Sequence, residues 1–247
     1  MTTAPLRSEN KTRSAQPART IPINVYIGFD SREAVAFSVL THSIHRHATR
    51  PIQITPLMLS QLGNVYTRAR HELQSTDFSF SRFLTPYLSG YSGWSIFMDC
   101  DMLMRDDIAK LWELRDNRYA VMVVKHEHVP RETVKFLGER QSKYEKKNWS
   151  SVVLFNNAQC SALTPEYVNN ASGLELHQFK WLHNDNLIGA LPERWNHLVG
   201  YNAPRSDAAL VHYTLGGPYF APYEQCEYAE EWRAERDAML YARKGPI

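Results

Sequence analysis

The stretch Ser95-Ile96-Phe97-Met98-Asp99-Cys100-Asp101-Met102-Leu103 places two carboxylates inside an otherwise apolar run. The residues up to Met98 have the pattern of a buried strand, so Asp99 and Asp101 follow directly where that strand ends. In an extended chain, residues two apart point the same way, so both carboxylates are expected to face one spot while Cys100 faces the other side. Two carboxylates held together repel each other unless a cation lies between them.

The pair therefore predicts a site for a hard divalent cation such as Mg²⁺ or Mn²⁺. Such ions take oxygen ligands and are often bound together with the phosphates of a substrate. The alternative interpretation is a pair of exposed loop aspartates, because Asp-x-Asp is a short and common pattern. The apolar residues on both sides of the pair make the two interpretations comparable on this stretch alone.

Composition and charge restrict the class of protein. The chain has 247 residues, of which 43% are hydrophobic and 22% are charged, and this is enough to bury a full core. The net charge is +2. The first 20 residues contribute +3 and leave −1 for the remainder, because they contain Glu9 and the four basic residues Arg7, Lys11, Arg13 and Arg19. The body of the protein has no basic excess, so nucleic acid is not an expected partner.

The cysteines and the apolar runs bear on the compartment. The chain has three cysteines, Cys100, Cys160 and Cys226, and no two of them are close in the sequence. This argues against a disulfide framework or a zinc cluster and fits a reducing compartment. No apolar run approaches the roughly 20 residues of a membrane span, and no signal-peptide pattern is seen near the start. We therefore expect a cytoplasmic protein without a membrane span.

The first folded unit predicts the fold class. Residues 23–29 form a β-branched and aromatic strand that ends at Gly28-Phe29-Asp30, and a helix follows with Phe37, Leu40 and Ile44 at helical spacing. A second strand over residues 51–59 continues the alternation, which indicates an α/β sheet with helices on both faces. The turn at Gly28–Asp30, beside the start of a helix, is a natural seat for a phosphate or nucleotide, although most such turns bind nothing.

The domain organisation is simple. Residues 1–20 are rich in small, polar and basic residues without periodicity and predict a disordered tail. We see no internal repeat and no linker in residues 21–247, so we assign them to one domain.

Three further features are candidates for a site. Arg82 stands among aromatic residues, where its stem can pack while its guanidinium reaches an anion. His212 ends a short apolar strand over residues 208–213, and the loop after it contains Gly216 and Gly217, which allow a close approach of backbone to a ligand. Lys125-His126-Glu127-His128 has residue types that bind metal, but its spacing at a strand end is more typical of a polar loop.

Taken in order, these pieces resemble a known family of enzymes, the family 8-like glycosyltransferases with the GT-A fold, over residues 22–220. No single motif is specific to this family, but the order of the motifs along the chain is moderately specific. The motifs that carry the resemblance are Gly28-Phe29-Asp30, Ser81-Arg82-Phe83-Leu84, Phe97-Met98-Asp99-Cys100-Asp101, Asn148-Trp149-Ser150-Ser151-Val152, Asn184-Asp185-Asn186-Leu187, Leu191-Pro192 with Trp195-Asn196, and His212-Tyr213-Thr214.

The resemblance implies a Rossmann-like mixed sheet and the transfer of a sugar, with retention of anomeric configuration, from a nucleotide-sugar donor. It implies a divalent cation, commonly Mn²⁺ and alternatively Mg²⁺, held by Asp99, Asp101 and His212. On ligand grounds the mixed carboxylate and imidazole set suits Mn²⁺ somewhat better.

The resemblance also assigns residues to the donor. It places the nucleoside at Gly28, Phe29 and Asp30, and it places Arg82 and Asp99 near the donor. Asp185 matches an aspartate that contacts the donor sugar, and Asn186 stands nearest the reacting face. The glycine loop, Gly216 and Gly217, completes the predicted donor site.

Two departures separate this chain from the family pattern and suggest a divergent bacterial branch. The family has a lysine after the metal-binding histidine, whereas this chain has Gly216-Gly217-Pro218-Tyr219. The charge that would hold the diphosphate is then absent or comes from elsewhere, for example Arg82 or Arg205. The family's Asn-x-Gly before a core strand is replaced by Trp149-Ser150-Ser151, and this change could mean a different sugar.

Two other functions stay open. A nucleotidyltransferase also uses paired carboxylates and a metal, although no lysine-bearing glycine loop follows the first strand. A binding protein that has lost catalysis would explain the missing lysine. The acceptor, which could be a glycan, a lipid, a small molecule or a protein, cannot be read from the sequence, and neither can the oligomeric state.

Overall fold

Two β-sheets organise the protein, which a computed structural model describes over residues 21–70, 74–127, 136–138 and 145–241. The strands in these segments are β1 (Ile23–Gly28), β2 (Ile52–Leu57), β3 (Trp94–Met98), β4 (Met102–Met104), β5 (Val121–Val123), β6 (Val152–Asn156), β7 (Ile188–Ala190), β8 (His197–Leu198) and β9 (Leu210–His212). The large sheet has the order β2-β1-β3-β6-β5-β7, and the small sheet has the order β4-β9-β8.

The large sheet is mixed. Strands β2, β1 and β3 are parallel neighbours, β6 is antiparallel to both β3 and β5, and β7 is parallel to β5. Ile27 of β1 lies beside Met98 of β3, so the turn after Gly28 and the residues after Met98 leave the sheet at the same edge. In sheets of this kind, ligands bind beyond the carboxyl ends of the parallel strands.

Helices flank the sheet, as predicted. The α-helices of the described segments are α1 (Ala34–His47), α2 (Thr85–Leu88), α3 (Ile108–Glu113), α4 (Pro165–Asn170), α5 (Gly173–His177) and α6 (Ala229–Met239). α1 packs against both β4 and α6. None of these helices is both long and apolar enough to cross a bilayer.

The core lies on the large sheet, because its central strands are buried along their whole length. Every residue of β6 is buried, as are four of the five residues of β3, and these β-branched and apolar side chains account for the near-continuous hydrophobic runs in the sequence. A second cluster around Trp232 of α6 covers the other side of the small sheet.

Of the small sheet, the sequence predicts only β9. Strands β4, β7 and β8 are not predicted. Strands β4, β7 and β8 have three, three and two residues. Strands this short show no measurable alternation, so their partners across the sheet decide their conformation. The predicted tail over residues 1–20, most of the charged stretch over residues 131–147 and His128 lie outside the described residues.

Gly28 at the end of β1 is required by packing. A Cβ atom at this position would lie 2.3 Å from the ring of Phe78, so any side chain would overlap that ring. We expect Gly28→Ala to lower the free energy of unfolding by about 1–3 kcal/mol, the usual effect of overpacking. Phe78→Leu should relieve part of that loss, so the double variant measured by urea denaturation should be more stable than the sum of the single effects. Strict additivity would contradict this account.

Candidate active site

The small sheet brings His212 to the two aspartates. Asp99 follows β3 and Asp101 precedes β4, and β4 pairs with β9 in antiparallel register so that Met102 lies opposite His212. The amide of Tyr213 donates a hydrogen bond of 2.9 Å to the carbonyl oxygen of Asp101. A residue over a hundred positions later in the chain therefore meets the aspartate pair through backbone pairing.

The three side chains converge. One carboxylate oxygen from each of Asp99 and Asp101 and one ring nitrogen of His212 lie within 4.8 Å of one another. The Nε2 atom of His212 is 3.4 Å from Oδ1 of Asp101, and both residues are almost fully buried. This confirms that the two aspartates face one spot. Two carboxylates and an imidazole are ligands that Mn²⁺ accepts, so the residues present fit the predicted cation.

Arg82 pairs with one of the aspartates. Its Nη1 atom is 2.8 Å from Oδ1 of Asp99 and also donates to the carbonyl oxygen of Ser150 at 2.8 Å. The guanidinium lies over the rings of Phe97 and Phe78, which is the aromatic setting expected from the sequence. The anion that Arg82 reaches is Asp99, so Arg82 fixes the orientation of that carboxylate.

Asp30 shapes the first βα turn. Its buried carboxylate accepts hydrogen bonds from the amide and the guanidinium of Arg32 and from the amide of Asp77. Burial alone would raise the pKa of Asp30, but these hydrogen bonds outweigh it and hold that pKa below its usual value. Phe29 packs edge-on against Phe37, with ring centres 5.4 Å apart. Asp30 and Phe29 thus hold the turn in place beside the aspartate pair.

The glycine loop is fastened to this turn. Gly216 has φ of 137°, and a Cβ atom at Gly217 would lie 2.3 Å from the ring of Tyr219. The hydroxyl of Tyr219 donates to Oε1 of the fully buried Glu33 at 2.7 Å. Burial and the negative charges of Glu33 and Asp101 raise the pKa of Tyr219 well above its usual value, which keeps the hydroxyl protonated. The loop and the first turn therefore form one wall of the site.

Cys100 lies between the two aspartates in the sequence, and the side that its thiol faces stays a prediction. Its thiol is fully buried, and burial, together with the nearby charges of Glu33, Asp101, Asp99 and Asp30, raises its pKa well above the usual value. Such a thiol stays protonated and acts as a small apolar residue.

Asp185 and Asn186 lie outside this cluster. They belong to the short 3-10 helix Asp185–Leu187 that leads into β7, and Asp185 is exposed. The ammonium group of Lys146 is 2.7 Å from Oδ1 of Asp185 and 5.9 Å from the ring centre of Trp149. These contacts connect Asp185 to the turn that contains Trp149, while Asp99, Asp101 and His212 form a group of their own.

Arg205 is held by other acids. Its guanidinium pairs with Asp207 at 2.7 Å and with Glu193 at 3.1 Å. Its role as the missing diphosphate-binding charge stays a prediction.

The segment Lys125–His128 also has residue types that bind metal. Its backbone oxygen at His126 accepts a hydrogen bond from the indole nitrogen of Trp149, and His128 lies outside the described residues.

Sequence reasoning assigned no contact in the site to four residues: Glu33, Ser151, Asn196 and Tyr219. Asn196 is fully buried and its Oδ1 atom lies 3.0 Å from Nδ1 of His212. The signal for Asn196 was its place beside Trp195 in one of the motifs quoted above, but the motif does not say which side chain it touches. Polar residues that act through a neighbour leave no spacing pattern in a sequence.

The fold is similar to solved glycosyltransferases. The bifunctional glycosyltransferase WbbM is 16% identical with a TM-score of 0.65, over 93% of this chain and 53% of WbbM, so this chain spans about half the length of that protein. The galactosyltransferase LgtC, solved with donor and acceptor sugar analogs, is 12% identical with a TM-score of 0.54, over 91% of this chain and 98% of LgtC. Mouse xyloside xylosyltransferase 1 is 13% identical with a TM-score of 0.52, over 80% of this chain and 100% of that protein.

These similarities define the fold as that of the GT-A glycosyltransferases. No family model matches the sequence. The chain is 44% identical over 225 residues to Protein CDI of Arabidopsis thaliana, covering 87% of this chain and 86% of that protein. It therefore belongs to the family of Protein CDI. That relative is a plant protein, so membership of glycosyltransferase family 8 and of a bacterial branch stays a prediction.

The hydrogen bond between Tyr219 and Glu33 should contribute more to stability than a hydrogen bond from a tyrosine hydroxyl to a neutral acceptor. Tyr219→Phe leaves a buried carboxylate without this donor, so we expect the free energy of unfolding in urea to fall by about 1.5–3 kcal/mol. Tyr91→Phe is the matched control, because the Tyr91 hydroxyl donates to the neutral carbonyl oxygen of Leu163. It should cost about 0.5–1.5 kcal/mol. Equal losses would contradict a special role for the Tyr219 contact.

Proposed function

We propose that this chain is a metal-dependent retaining glycosyltransferase that moves a sugar from a nucleotide-diphosphate sugar to an acceptor. The acceptor class stays open among glycans, lipids, small molecules and proteins. The observation that carries the proposal is the convergence of Asp99, Asp101 and His212 at the edge of the sheet where the first βα turn also ends. The GT-A fold supports the same class of reaction.

In this proposal Asp99, Asp101 and His212 hold Mn²⁺, or alternatively Mg²⁺. When bound, the ion offsets the negative charge of the donor diphosphate as the sugar leaves. The imidazole favours Mn²⁺, because Mg²⁺ is usually held by oxygen atoms and water. Asp101 and His212 are buried and Asp99 is partly buried, which supports a strong interaction, since water screens charges less at such a site.

The donor nucleotide would occupy the wall formed by the first βα turn and the glycine loop. Gly28, Phe29 and Asp30 give the turn its shape, and Gly216 and Gly217 let the backbone approach the diphosphate. The fixed link between Tyr219 and Glu33 supports a preformed wall. Arg82 acts through Asp99 in this arrangement, because its guanidinium is engaged by that carboxylate.

Asp185 and Asn186 are proposed to contact the donor sugar near the reacting carbon. Asp185 is exposed and is oriented by Lys146, which supports a side chain that is available to a ligand. A cytoplasmic location is part of the proposal, and three unpaired cysteines support a reducing compartment.

A ligand screen tests the donor. Thermal unfolding is measured with UDP, GDP, CDP and dTDP, each with and without Mn²⁺. A ligand present at 100 times its Kd and bound only to the folded state adds about 2.7 kcal/mol of stability. For a domain of this size that corresponds to a rise in Tm of about 5–10 °C. We expect one nucleotide to give such a rise, and only when Mn²⁺ is present.

The screen and two activity assays, one for sugar transfer and one for pyrophosphate release, separate the alternatives. A rise without Mn²⁺ would contradict the metal-dependent site. Binding of a nucleotide sugar without any turnover across a panel of acceptors would indicate a catalytically inactive binding protein. Release of pyrophosphate from a nucleoside triphosphate would indicate a nucleotidyltransferase.

Asp101→Asn tests the chemistry at the metal site. The variant keeps the shape of the side chain but removes a charged ligand, so we expect Mn²⁺-dependent hydrolysis of the donor identified above to fall at least about 100-fold with little change in Tm. Asp116→Asn is the matched control, because Asp116 pairs with Arg118 on another turn. Activity retained in Asp101→Asn would contradict the proposal.

For the native protein, the sugar first released should have the anomeric configuration of the donor, and inversion would overturn the retaining assignment.

A further inference from the structure

The buried amide of Asn196 links His212 to the turn before β6. Its Oδ1 atom lies 3.0 Å from Nδ1 of His212, and its Nδ2 atom donates to Oγ of Ser151 at 2.8 Å. Nδ2 also lies 3.4 Å from the carbonyl oxygen of Asn148. Asn196 is fully buried, so the direction of these bonds follows from the protein groups around it.

Ser151 determines the direction of the bond to the histidine. Its hydroxyl donates its only proton to the carbonyl oxygen of Asn148 at 2.7 Å, so Oγ must accept from Asn196. The amide nitrogen of Asn196 therefore faces Ser151 and Asn148, and its oxygen faces His212. Because that oxygen only accepts, the Nδ1 atom of His212 must carry a proton.

This tautomer leaves the lone pair of Nε2 directed at Asp101. The two atoms are 3.4 Å apart, and two lone pairs that face each other are unfavourable unless a cation or a proton lies between them. In the opposite tautomer, Nε2 would donate its proton to Asp101, and the two proposed ligands would bind each other. A hydrogen bond to the far nitrogen of a ligand histidine selects the metal-binding tautomer.

The same turn supports the aspartate side of the site. The carbonyl oxygen of Ser151 accepts from the amide of Asp99 at 3.0 Å, and the carbonyl oxygen of Ser150 accepts from Arg82. One short segment, Asn148–Ser151, thus fixes both Asp99 and the amide that orients His212.

We propose that Asn196, oriented by Ser151, is a positioning residue that holds His212 in the Nδ1-protonated tautomer and so keeps Nε2 open to the cation. The inference rests on the metal site of the proposed function. It adds a requirement for a hydrogen-bond acceptor at position 196. This requirement does not depend on which sugar is transferred, on the base of the donor nucleotide or on the molecule that receives the sugar.

The test uses Mn²⁺ as the probe, with and without UDP, and measures its Kd from the paramagnetic resonance signal of the free ion. Asn196→Leu removes the hydrogen-bond acceptor that faces His212, and we expect the Kd for Mn²⁺ to rise about 10–100-fold. Asn196→Asp keeps an oxygen facing Nδ1, and the Ser151 hydroxyl can rotate to donate to the second carboxylate oxygen, so this variant should bind within a few-fold of the native protein. Asn157→Leu is the matched control, because Asn157 is equally buried but follows the end of β6 that is opposite to Ser151, and it donates to the carbonyl oxygen of Ser92. Its Kd should not change.

A second readout examines the histidine directly. In metal-free protein with ¹⁵N-labelled histidine, the ring signals of His212, assigned by comparison with His212→Gln, should show a proton on Nδ1. A proton on Nε2 in the native protein, or an unchanged Kd in folded Asn196→Leu, would overturn the inference. If Asn196→Leu does not fold, the ring signals of the native protein decide. No Mn²⁺ binding by the native protein, with or without UDP, would instead overturn the metal site of the proposed function.

Discussion

The site depends on the pairing of two short strands, β4 and β9. Each has three residues, and their antiparallel register sets Met102 opposite His212. Asp101 precedes the first of these strands and Asp99 follows β3, so the chain crosses from the large sheet to the small one through the aspartate pair. A register shift of one residue would turn His212 to the opposite face of the small sheet. The backbone hydrogen bond between Tyr213 and Asp101 holds the junction in the observed register.

Buried charge at this junction is compensated by groups from several parts of the chain. Arg82 pairs with Asp99, Arg32 pairs with Asp30, and the hydroxyl of Tyr219 donates to Glu33. Buried carboxylates are costly unless they are paired or hydrogen-bonded, so these contacts are a condition for placing acids beneath a ligand site. The contact between Tyr219 and Glu33 also joins the glycine loop to the first turn.

Much of the fold and part of the site could be predicted from the sequence. The run around Asp99 and Asp101 indicated a strand end, the spacing placed both carboxylates on one side, and the apolar strand before His212 was recognisable. The pairing of β4 with β9 could not be predicted, because strands of three residues have no periodicity and their contact spans more than a hundred residues. Asn196 and Glu33 act through neighbours, so their roles need the tertiary structure. For Arg82 the sequence indicated an anion partner, and the structure identifies it as Asp99.

The central claim is that Asp99, Asp101 and His212 hold one divalent cation together. The most direct measurement is the anomalous diffraction of a crystal grown with Mn²⁺ and a nucleoside diphosphate. The account predicts one manganese peak at about 2.0–2.6 Å from an oxygen of each aspartate and from Nε2 of His212, in contact with the diphosphate. A manganese peak elsewhere, or a nucleotide bound without any metal near these three side chains, would contradict it.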